Sequence, residues 1–355
     1  MHASFGAIAV GSLRSRIERS LNKSWYSQPS WTKILAPFSW LYGLLARKRR
    51  ERYAREKHPV WHAPVPVCVV GNITVGGTGK TPLIIWLAQW LIRREQRVGI
   101  VSRGHGGSSS FPLEVTPETS FQLAGDEPLL IARRTDCPVI VDPNRTRAAQ
   151  RMIELHDVDI VLSDDGMQHY ALDRNLEIAV LDGNRKIGNG KLLPCGPLRE
   201  PSSRLSSVDW VVSNGCMTHL VEDEWVMQYR VNGMVNVADE SRLTVAEFQE
   251  RHGSRVRAFA GIGNPCRFQQ TLLRESFEFN LEAYSDHHVF SESDFRGSSD
   301  EVFVVTEKDA QRIRNLQMIA SRVWYVEIAV EFEVDVNDHL TKMFGGCGLS
   351  VDVNL

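Results

Sequence analysis

Short apolar runs alternate with helix-length segments between residues 65 and 213 of this 355-residue chain. The runs are rich in Val, Ile and Leu and predict strands, while segments 81–94 and 144–156 between them predict helices. Alternation of this kind predicts a parallel sheet with helices on both faces. The predicted strands are residues 67–70, 98–102, 139–142, 159–163, 177–182 and 209–213.

The pattern changes after residue 214. Strands predicted at 225–231 and 234–237 flank Asn232-Gly233, a sequence typical of a hairpin turn. A second strand-and-helix pattern begins at 256–263, and another strand at 302–306 precedes a predicted helix at 307–320.

These patterns predict an α/β fold with two domains, and the length of the chain allows two cores. A parallel-sheet domain at 61–215 is followed by a smaller α/β domain with a hinge at 216–335. Residues 1–60 form an N-terminal segment, and residues 336–355 form a tail without a predicted structure.

A glycine-rich turn follows the first predicted strand, and Lys80-Thr81 opens the next helix. A phosphate-binding P-loop consists of converging backbone amides, a helix N-terminus, a lysine and a hydroxyl that faces magnesium. Thr74 stands where the strict pattern has Gly, so the loop is a variant, and a plain turn is the alternative. We assign nucleotide binding to the loop residues Thr74, Val75, Gly76, Gly77, Thr78, Gly79, Lys80 and Thr81.

Acidic residues follow two of the predicted strands. Asp164-Asp165 ends an apolar run that predicts a buried strand. A P-loop protein needs a carboxylate at this position for the Mg²⁺ that Thr81 also faces. On its own, such a pair is most often part of a turn. Asp126 precedes a predicted helix and is a candidate for chemistry or for helix capping.

Two polar segments are candidates for catalysis. Residues 188–201 form a long Gly/Pro-rich loop that is typical of a lid, in which Arg199 could stabilise a transferred phosphoryl group. The alternative is a surface loop with a solvated charge pair. His287, beside His288, is a candidate proton carrier, whereas zinc is disfavoured because no further ligands have matching spacing.

The N-terminal segment has the pattern of a helix lying on a membrane surface. The first 60 residues carry 12 Lys/Arg against 3 Glu, a charge of +9, so the remainder carries −11 to reach the net −2. A helical stripe is followed by seven basic and two acidic residues at 47–57, and the apolar stretch 34–46 is too short to span a bilayer. Packing of the stripe into a core is the alternative. The stripe consists of Trp31, Leu35, Phe38, Tyr42 and Leu45.

The cysteines and the N-terminus predict a cytoplasmic location. The six cysteines contain no Cys-x-x-Cys pair, which disfavours a disulfide framework and fits a reducing compartment. The apolar patch at residues 5–10 lacks a preceding basic residue, so no secretory signal is predicted.

Eight ordered motifs together resemble the tetraacyldisaccharide 4′-kinases, the lipid A 4′-kinases of Gram-negative bacteria. The resemblance extends from about residue 14 to residue 330. The motifs lie at residues 71–82, 102–104, 125–128, 164–169, 188–201, 260–265, 286–288 and 306–310.

The resemblance implies transfer of the ATP γ-phosphoryl group, with Mg²⁺, to the 4′-hydroxyl of a tetraacylated glucosamine disaccharide 1-phosphate, giving lipid IVA. The implied location is the cytoplasmic face of the inner membrane, with no nucleic-acid partner and no obligate protein partner. It also implies His287 as the base, oriented by Asp126. Lys80 and Arg199 would act on the phosphates, and Thr81, Asp164 or Asp165 and Glu200 would place the metal.

Two other classes of function stay open on the sequence. One is a nucleotide-driven switch at the membrane, although residues 306–309 place the lysine of a guanine-reading motif one position too late. The other is a non-enzymatic membrane module anchored by the basic N-terminus.

Overall fold

A computed structural model describes residues 13–26, 31–55, 57–104, 107, 110–298 and 301–351, with side chains from residue 20 onward. The apolar patch at residues 5–10 lies outside the described residues. The helices are α1 (Leu13–Tyr26), α2 (Ala36–Ala54), α3 (Lys80–Ile92), α4 (Phe121–Ala124), α5 (Asp126–Arg134), α6 (Arg145–Leu155), α7 (Val245–His252), α8 (Pro265–Arg274), α9 (Glu307–Ile313), α10 (Gln317–Ala320) and α11 (Asn337–Gly345). The strands are β1 (Val67–Gly71), β2 (Val98–Ser102), β3 (Leu113–Val115), β4 (Val139–Val141), β5 (Ile160–Asp164), β6 (Leu176–Asp182), β7 (Trp210–Asn214), β8 (Glu224–Asn236), β9 (Arg242–Leu243), β10 (Arg255–Ala260), β11 (Glu278–Ala283), β12 (Phe303–Thr306) and β13 (Val323–Phe332).

The chain folds into two compact units. The larger unit contains Ile17–Gln228 and Val330–Leu355. The smaller unit contains Tyr229–Ala329 together with the described residues before Ile17. Strands β8 and β13 each pass from one unit into the other.

The larger unit is built on a mostly parallel sheet with strand order β8-β7-β6-β1-β5-β2-β4-β3. Only β3 pairs antiparallel within this series, at the sheet edge beside β4. Strands β1, β5 and β6 are buried along their whole length, which explains their continuous apolar sequences. Each of the six strands predicted in this region is confirmed to within one residue at both ends.

The register of the central strands brings three strand ends together. Strand β1 pairs with β5, with Val70 opposite Asp164. Strand β2 pairs with the other side of β5, with Val101 opposite Ser163. Because all three strands are parallel, the residues that follow them lie at one edge of the sheet, where ligands of such folds bind.

The smaller unit contains the parallel strands β11-β10-β12-β13, and β9 pairs antiparallel with β8. Phe259, Phe295 and Phe303 pack together in its core with ring centroids 4.9–5.6 Å apart. The helix predicted at 307–320 is divided into α9 and α10.

The hairpin predicted at Asn232-Gly233 is wrong, because β8 runs through both residues as one strand. A Cβ atom at Gly233 would lie 2.7 Å from the carbonyl oxygen of Leu243. Glycine is therefore needed here for the close approach of β9 and not for a turn.

The tail at 336–355, which had no predicted structure, contains helix α11. Leu340 and Phe344 on this helix are fully buried. The Phe344 ring lies 5.8 Å from that of Trp90 on α3, and Trp90 Nε1 donates to Asn337 Oδ1 at 2.8 Å. Helix α11 is therefore part of the core of the larger unit.

Phe344→Ala should lower the free energy of unfolding by about 3–5 kcal/mol, because it removes a fully buried aromatic ring and leaves a cavity. Urea denaturation followed by tryptophan fluorescence measures the change. Lys342→Ala, at an exposed position on the same helix, is the control and should change stability by less than about 0.5 kcal/mol. Equal effects of the two substitutions would contradict the packing of α11.

Candidate functional site

The glycine-rich turn connects the end of β1 at Gly71 with the start of α3 at Lys80. Gly76 and Gly79 have φ angles of +102° and +107°, in the left-handed region that side chains with a Cβ rarely adopt. Thr81 is buried in the first turn of α3. This is the strand–loop–helix arrangement of a phosphate-binding loop.

The end of the 188–201 loop is bonded to this glycine-rich turn. Val75 N donates to Pro197 O at 2.9 Å, and Arg199 N donates to Ile73 O at 2.7 Å. Thr74 and Leu198 form an isolated antiparallel bridge between these two hydrogen bonds. Residues 197–199 are thus fixed to the turn, which places Arg199 beside it.

Two cations converge on Asp165. Lys80 Nζ lies 3.6 Å from Asp165 Oδ1, and Arg199 Nη1 donates to both carboxylate oxygens at 3.1 Å. Burial alone would raise the pKa of Asp165, but the charges of Lys80 and Arg199 hold it well below its usual range. Asp165 is therefore ionised at neutral pH.

Asp164 is in the opposite electrostatic situation. Its side chain is buried, and Oδ2 accepts a hydrogen bond from Ser102 Oγ at 2.9 Å. Burial raises the pKa of Asp164 to about 6, and the nearby charge of Glu127 adds to this rise. The backbone oxygen of Asp164 accepts from Arg145 Nη2 at 2.9 Å, which fixes the end of β5.

Sequence reasoning did not assign Ser102 or Arg145 to this site. Ser102 belongs to one of the eight motifs and ends β2, a neighbour of β5. Its place at a strand end could therefore have indicated that it lies near Asp164. Arg145 is almost completely buried at the start of α6 and donates to the backbone oxygens of Asp142 and Asp164. No pattern in the sequence marks an arginine in a helix as a buried donor to carbonyl groups.

The chemistry of this edge fits Mg²⁺ better than a transition metal. Among the described residues, no group of three or more His, Cys, Asp or Glu side chains is arranged to hold a metal ion. Mg²⁺ is commonly held by one or two carboxylates together with substrate phosphates and water. Thr81 and the adjacent carboxylates of Asp164 and Asp165 meet that requirement, and a cation would offset the burial of Asp164.

Glu200, the other predicted metal ligand, is hydrogen-bonded to the segment that follows Asp165. Glu200 Oε1 accepts from Gln168 Nε2 at 2.7 Å, and Oε2 accepts from Tyr170 OH at 2.8 Å. Arg204 Nε lies 3.4 Å from the same carboxylate, which is buried. These hydrogen bonds attach Glu200 to the segment that follows Asp165, and its role as a metal ligand stays a prediction.

His169 lies in the same segment and is neutral at neutral pH. Burial lowers its pKa to about 4, and the nearby charges of Arg145, Arg103 and Arg49 act in the same direction. In the sequence, His169 was noted only as part of the motif at residues 164–169. The structure shows that it lies near the charges of three arginines.

Asp126 begins α5 in the larger unit and is buried. Its Oδ1 accepts a hydrogen bond from Glu127 N at 2.9 Å, which stabilises the first turn of the helix. The N-cap position of α5 is Gly125 and carries no side-chain cap, so Asp126 contributes to the first turn of the helix from inside it.

His287 and His288 in the smaller unit have different surroundings. The His288 ring stacks on Tyr284 with centroids 4.3 Å apart, packs edge-on to Phe290, and lies 3.4 Å from Asp294 Oδ2. His287 Nε2 lies 3.8 Å from Asp286 Oδ1, and the backbone of His287 has a φ angle of +59°. His288 is thus held in an aromatic cluster, so His287 is the better candidate for proton transfer.

Helix α2 turns its polar side toward the protein. Ser39 Oγ donates to Leu192 O at 3.0 Å, Tyr42 OH donates to Arg199 O at 3.1 Å, and the buried Thr32, in the turn before α2, donates to Cys195 O at 2.7 Å. All three acceptors belong to the 188–201 loop. The helix is therefore attached to the protein through hydrogen bonds along one side.

The opposite side of this segment is apolar and exposed. Of the predicted stripe, Leu35 and Tyr42 are half-buried, so the core-packing alternative is wrong for the other three residues. Trp40 is 72% exposed and Ile34 is 77% exposed, which is unusual for side chains of this size. The exposed apolar face consists of Trp31, Ile34, Phe38, Trp40, Leu41 and Leu45.

The basic cluster continues along the same helix, and most of its described side chains are exposed. None of the described helices has the length and apolar character needed to span a bilayer.

Comparison with known proteins gives a consistent family. A family model described as LpxK, tetraacyldisaccharide-1-P 4'-kinase, matches residues 31–345. The tetraacyldisaccharide 4'-kinase of Methylobacillus flagellatus is 41% identical over 317 residues, which cover 89% of this chain and 92% of the relative. The protein of that name from Legionella pneumophila is 40% identical over 328 residues, covering 91% of this chain and 96% of the relative.

A solved structure shares the fold. The crystal structure of the "apo" form of LpxK from Aquifex aeolicus in complex with ATP matches with a TM-score of 0.75 and 27% identity. The match covers 89% of this chain and 99% of that one.

Asp164→Asn and Asp165→Asn should change stability in opposite directions at pH 8. Because the pKa of Asp164 is raised from its ordinary value to about 6, the cost to folding grows as the pH rises through this interval and is complete above about pH 6. Removal of the carboxyl should therefore stabilise the protein at pH 8 by roughly 1–3 kcal/mol. The lowered pKa of Asp165 means that its ionised form stabilises the fold, so its removal should destabilise the protein.

Urea denaturation at pH 8 and pH 5, without nucleotide or metal, measures both effects. The gain for Asp164→Asn should shrink at pH 5, where the carboxyl of Asp164 is already largely protonated in the folded state. Destabilisation by both substitutions at pH 8 would contradict the opposite surroundings of the two carboxyls.

Proposed function

Because the chain belongs to the tetraacyldisaccharide-1-P 4'-kinase family, we propose that it phosphorylates the 4′-hydroxyl of a tetraacylated glucosamine disaccharide 1-phosphate. ATP is the donor, and the product of the reaction, a step of lipid A biosynthesis, is lipid IVA. The observation that carries the proposal is the convergence of Lys80 and Arg199 on Asp165, directly beside the glycine-rich turn. Two cations and an ionised carboxylate beside such a turn suit the binding of the outer phosphates of a nucleotide, which supports the proposal.

The P-loop residues have the chemistry for the donor. Amides of residues 74–81 and the Lys80 ammonium would hold the β- and γ-phosphates, and Arg199 would stabilise charge that develops on the transferred group. Thr81 with Asp164 or Asp165 would hold Mg²⁺. When bound, the metal neutralises charge on the β- and γ-phosphates.

We assign the proton transfer to His287. The acceptor oxygen attacks the γ-phosphorus while the bond to the β–γ bridging oxygen breaks, so ADP leaves and the hydroxyl proton passes to the imidazole. The family resemblance supports Asp126 as the group that fixes its tautomer. Asp126 belongs to the larger unit and His287 to the smaller one.

The exposed apolar face supports a location at a bilayer surface, where an acceptor with four acyl chains resides. Apolar side chains point outward and basic residues follow them on α2, which suits the acyl boundary and anionic headgroups of a membrane. We propose the cytoplasmic face of the inner membrane of a Gram-negative cell.

Incubation with γ-labelled ATP tests the activity directly. Label should pass to the tetraacylated disaccharide 1-phosphate and not to phospholipids, and the transfer should require Mg²⁺. Release of labelled phosphate without lipid labelling would favour the nucleotide switch, and no use of ATP would favour the anchor module.

His287→Ala should lower kcat by about 10²–10⁴-fold, because the acceptor hydroxyl loses its general base. ATP binding should persist, since Lys80 and the P-loop belong to the other unit. Steady-state kinetics and equilibrium nucleotide binding measure the two effects.

His288→Phe is the matched control, because phenylalanine can keep the stacking on Tyr284. It should retain most of the turnover. A near-wild-type kcat for His287→Ala would remove this residue from the mechanism.

Replacing Phe38 and Trp40 together by Ser should weaken binding to vesicles that contain anionic lipid by at least about tenfold. Each side chain contributes of the order of 1.5–3 kcal/mol when it is withdrawn from water, and 1.4 kcal/mol corresponds to a factor of ten. Vesicle co-sedimentation measures the change. Met318→Ser, at a residue of the smaller unit that is 78% exposed, is the control, and equal binding of all variants would contradict the membrane face.

A further inference from the structure

The sequence motif at residues 306–310 has no part in the proposed chemistry, yet it lies at the base of the His287 segment. Strands β10 and β12 are parallel neighbours in the smaller unit, so the residues after them share one edge of the sheet. Gly261 follows β10, and α9 follows β12. Thr306 caps α9 by accepting from Asp309 N at 3.1 Å.

Asp309 binds the loop that begins at Gly261, directly after β10. Its side chain is fully buried, and Oδ2 accepts from Gly261 N at 3.0 Å and from Thr306 Oγ1 at 2.6 Å. Its Oδ1 accepts from Arg312 Nη1 at 3.0 Å. The carboxylate therefore connects the end of β10, the start of α9 and one buried guanidinium.

Arg312 extends this connection to the histidine pair. Its Nη1 donates to Gly261 O at 3.1 Å and to His288 O at 3.3 Å. His287 N donates to the same Gly261 oxygen at 3.2 Å. The backbone on both sides of the His287 side chain is thus held by two hydrogen bonds that involve Gly261 and Arg312.

The conformation of His287 needs such support. A φ angle of +59° is uncommon for a residue with a Cβ and persists only where the surrounding structure fixes it. On the other side of the loop, Lys308 Nζ lies 3.3 Å from Asp286 Oδ1. The helix that carries Asp309 and Arg312 therefore contacts the residues both before and after His287.

We propose that the buried Asp309–Arg312 pair is a positioning element that holds the His287 imidazole in place for proton transfer. The inference rests on the proposed role of His287 as the base. Asp309 and Arg312 belong to the smaller unit and bond Gly261 and His288, so their effect on turnover should pass through the 286–288 loop.

A double-mutant cycle separates positioning from general destabilisation. Arg312→Gln should lower kcat by about 10- to 100-fold in the wild-type background, because a displacement of about 1 Å of a reacting group has an effect of this size. The affinity for ATP should not change. In the His287→Ala background the same substitution should change kcat by less than about threefold, since residues that act as a unit are not additive.

Arg257→Gln is the matched control in the same unit. Arg257 forms ion pairs with Glu282 and Glu301 from β10, and it has no described contact with Gly261 or with residues 286–288. Any effect of this substitution should be the same factor in both backgrounds, because it would act through stability alone.

Arg312→Lys is the conservative variant. It keeps a cation beside the buried Asp309 and should restore part of the lost kcat. If Arg312→Gln does not fold at the assay temperature, the cycle is run with Arg312→Lys and the same non-additivity is expected.

The failures of the two proposals are distinguishable. If His287→Ala alone has near-wild-type turnover, its role as base is wrong. If His287→Ala is slow but the Arg312 substitution lowers kcat by the same factor in both backgrounds, the base remains and the positioning role of Asp309–Arg312 is overturned.

Discussion

Asp164 and Asp165 leave the end of β5 as consecutive residues, yet the protein surrounds them with different charge. The positive charges of Lys80 and Arg199 stabilise the ionised form of Asp165. Burial and the neighbouring acid Glu127 oppose ionisation of Asp164. The rest of the site depends on this contrast, because it leaves one carboxyl whose ionised form needs a cation. The site thereby holds an unfavourable buried negative charge at Asp164 that a bound metal cation would offset.

The attachment of α2 to the 188–201 loop links the proposed membrane surface to the sheet edge at Asp165. Tyr42 donates to the carbonyl of Arg199, the residue whose guanidinium binds Asp165, and Ser39 donates to an earlier residue of the same loop. Hydrogen bonds along one side leave the apolar residues on the other side exposed. An acceptor held by that face would therefore lie on a helix fixed to the loop that carries Arg199.

The predictions from sequence succeeded where a motif is contiguous. The strand–turn–helix pattern gave the glycine-rich turn and the strand bounds because alternation of apolar runs and helices reflects burial on both sheet faces. The hairpin prediction failed at Gly233, where glycine serves a close approach of two strands. That outcome depends on a partner strand that local patterns do not contain.

The sequence by itself determined the order of the elements, the phosphate-binding turn and the residue types available for chemistry, since these follow from periodicity and from side-chain identity. Only the tertiary structure decided how those residues are used. Ser102 and Asp164 are 62 positions apart, and Arg312 and Gly261 are 51 positions apart, yet each pair forms a hydrogen bond. Charge and burial at a site are sums over such distant neighbours, so the state of each carboxyl and the orientation of His287 are set by packing and not by local sequence.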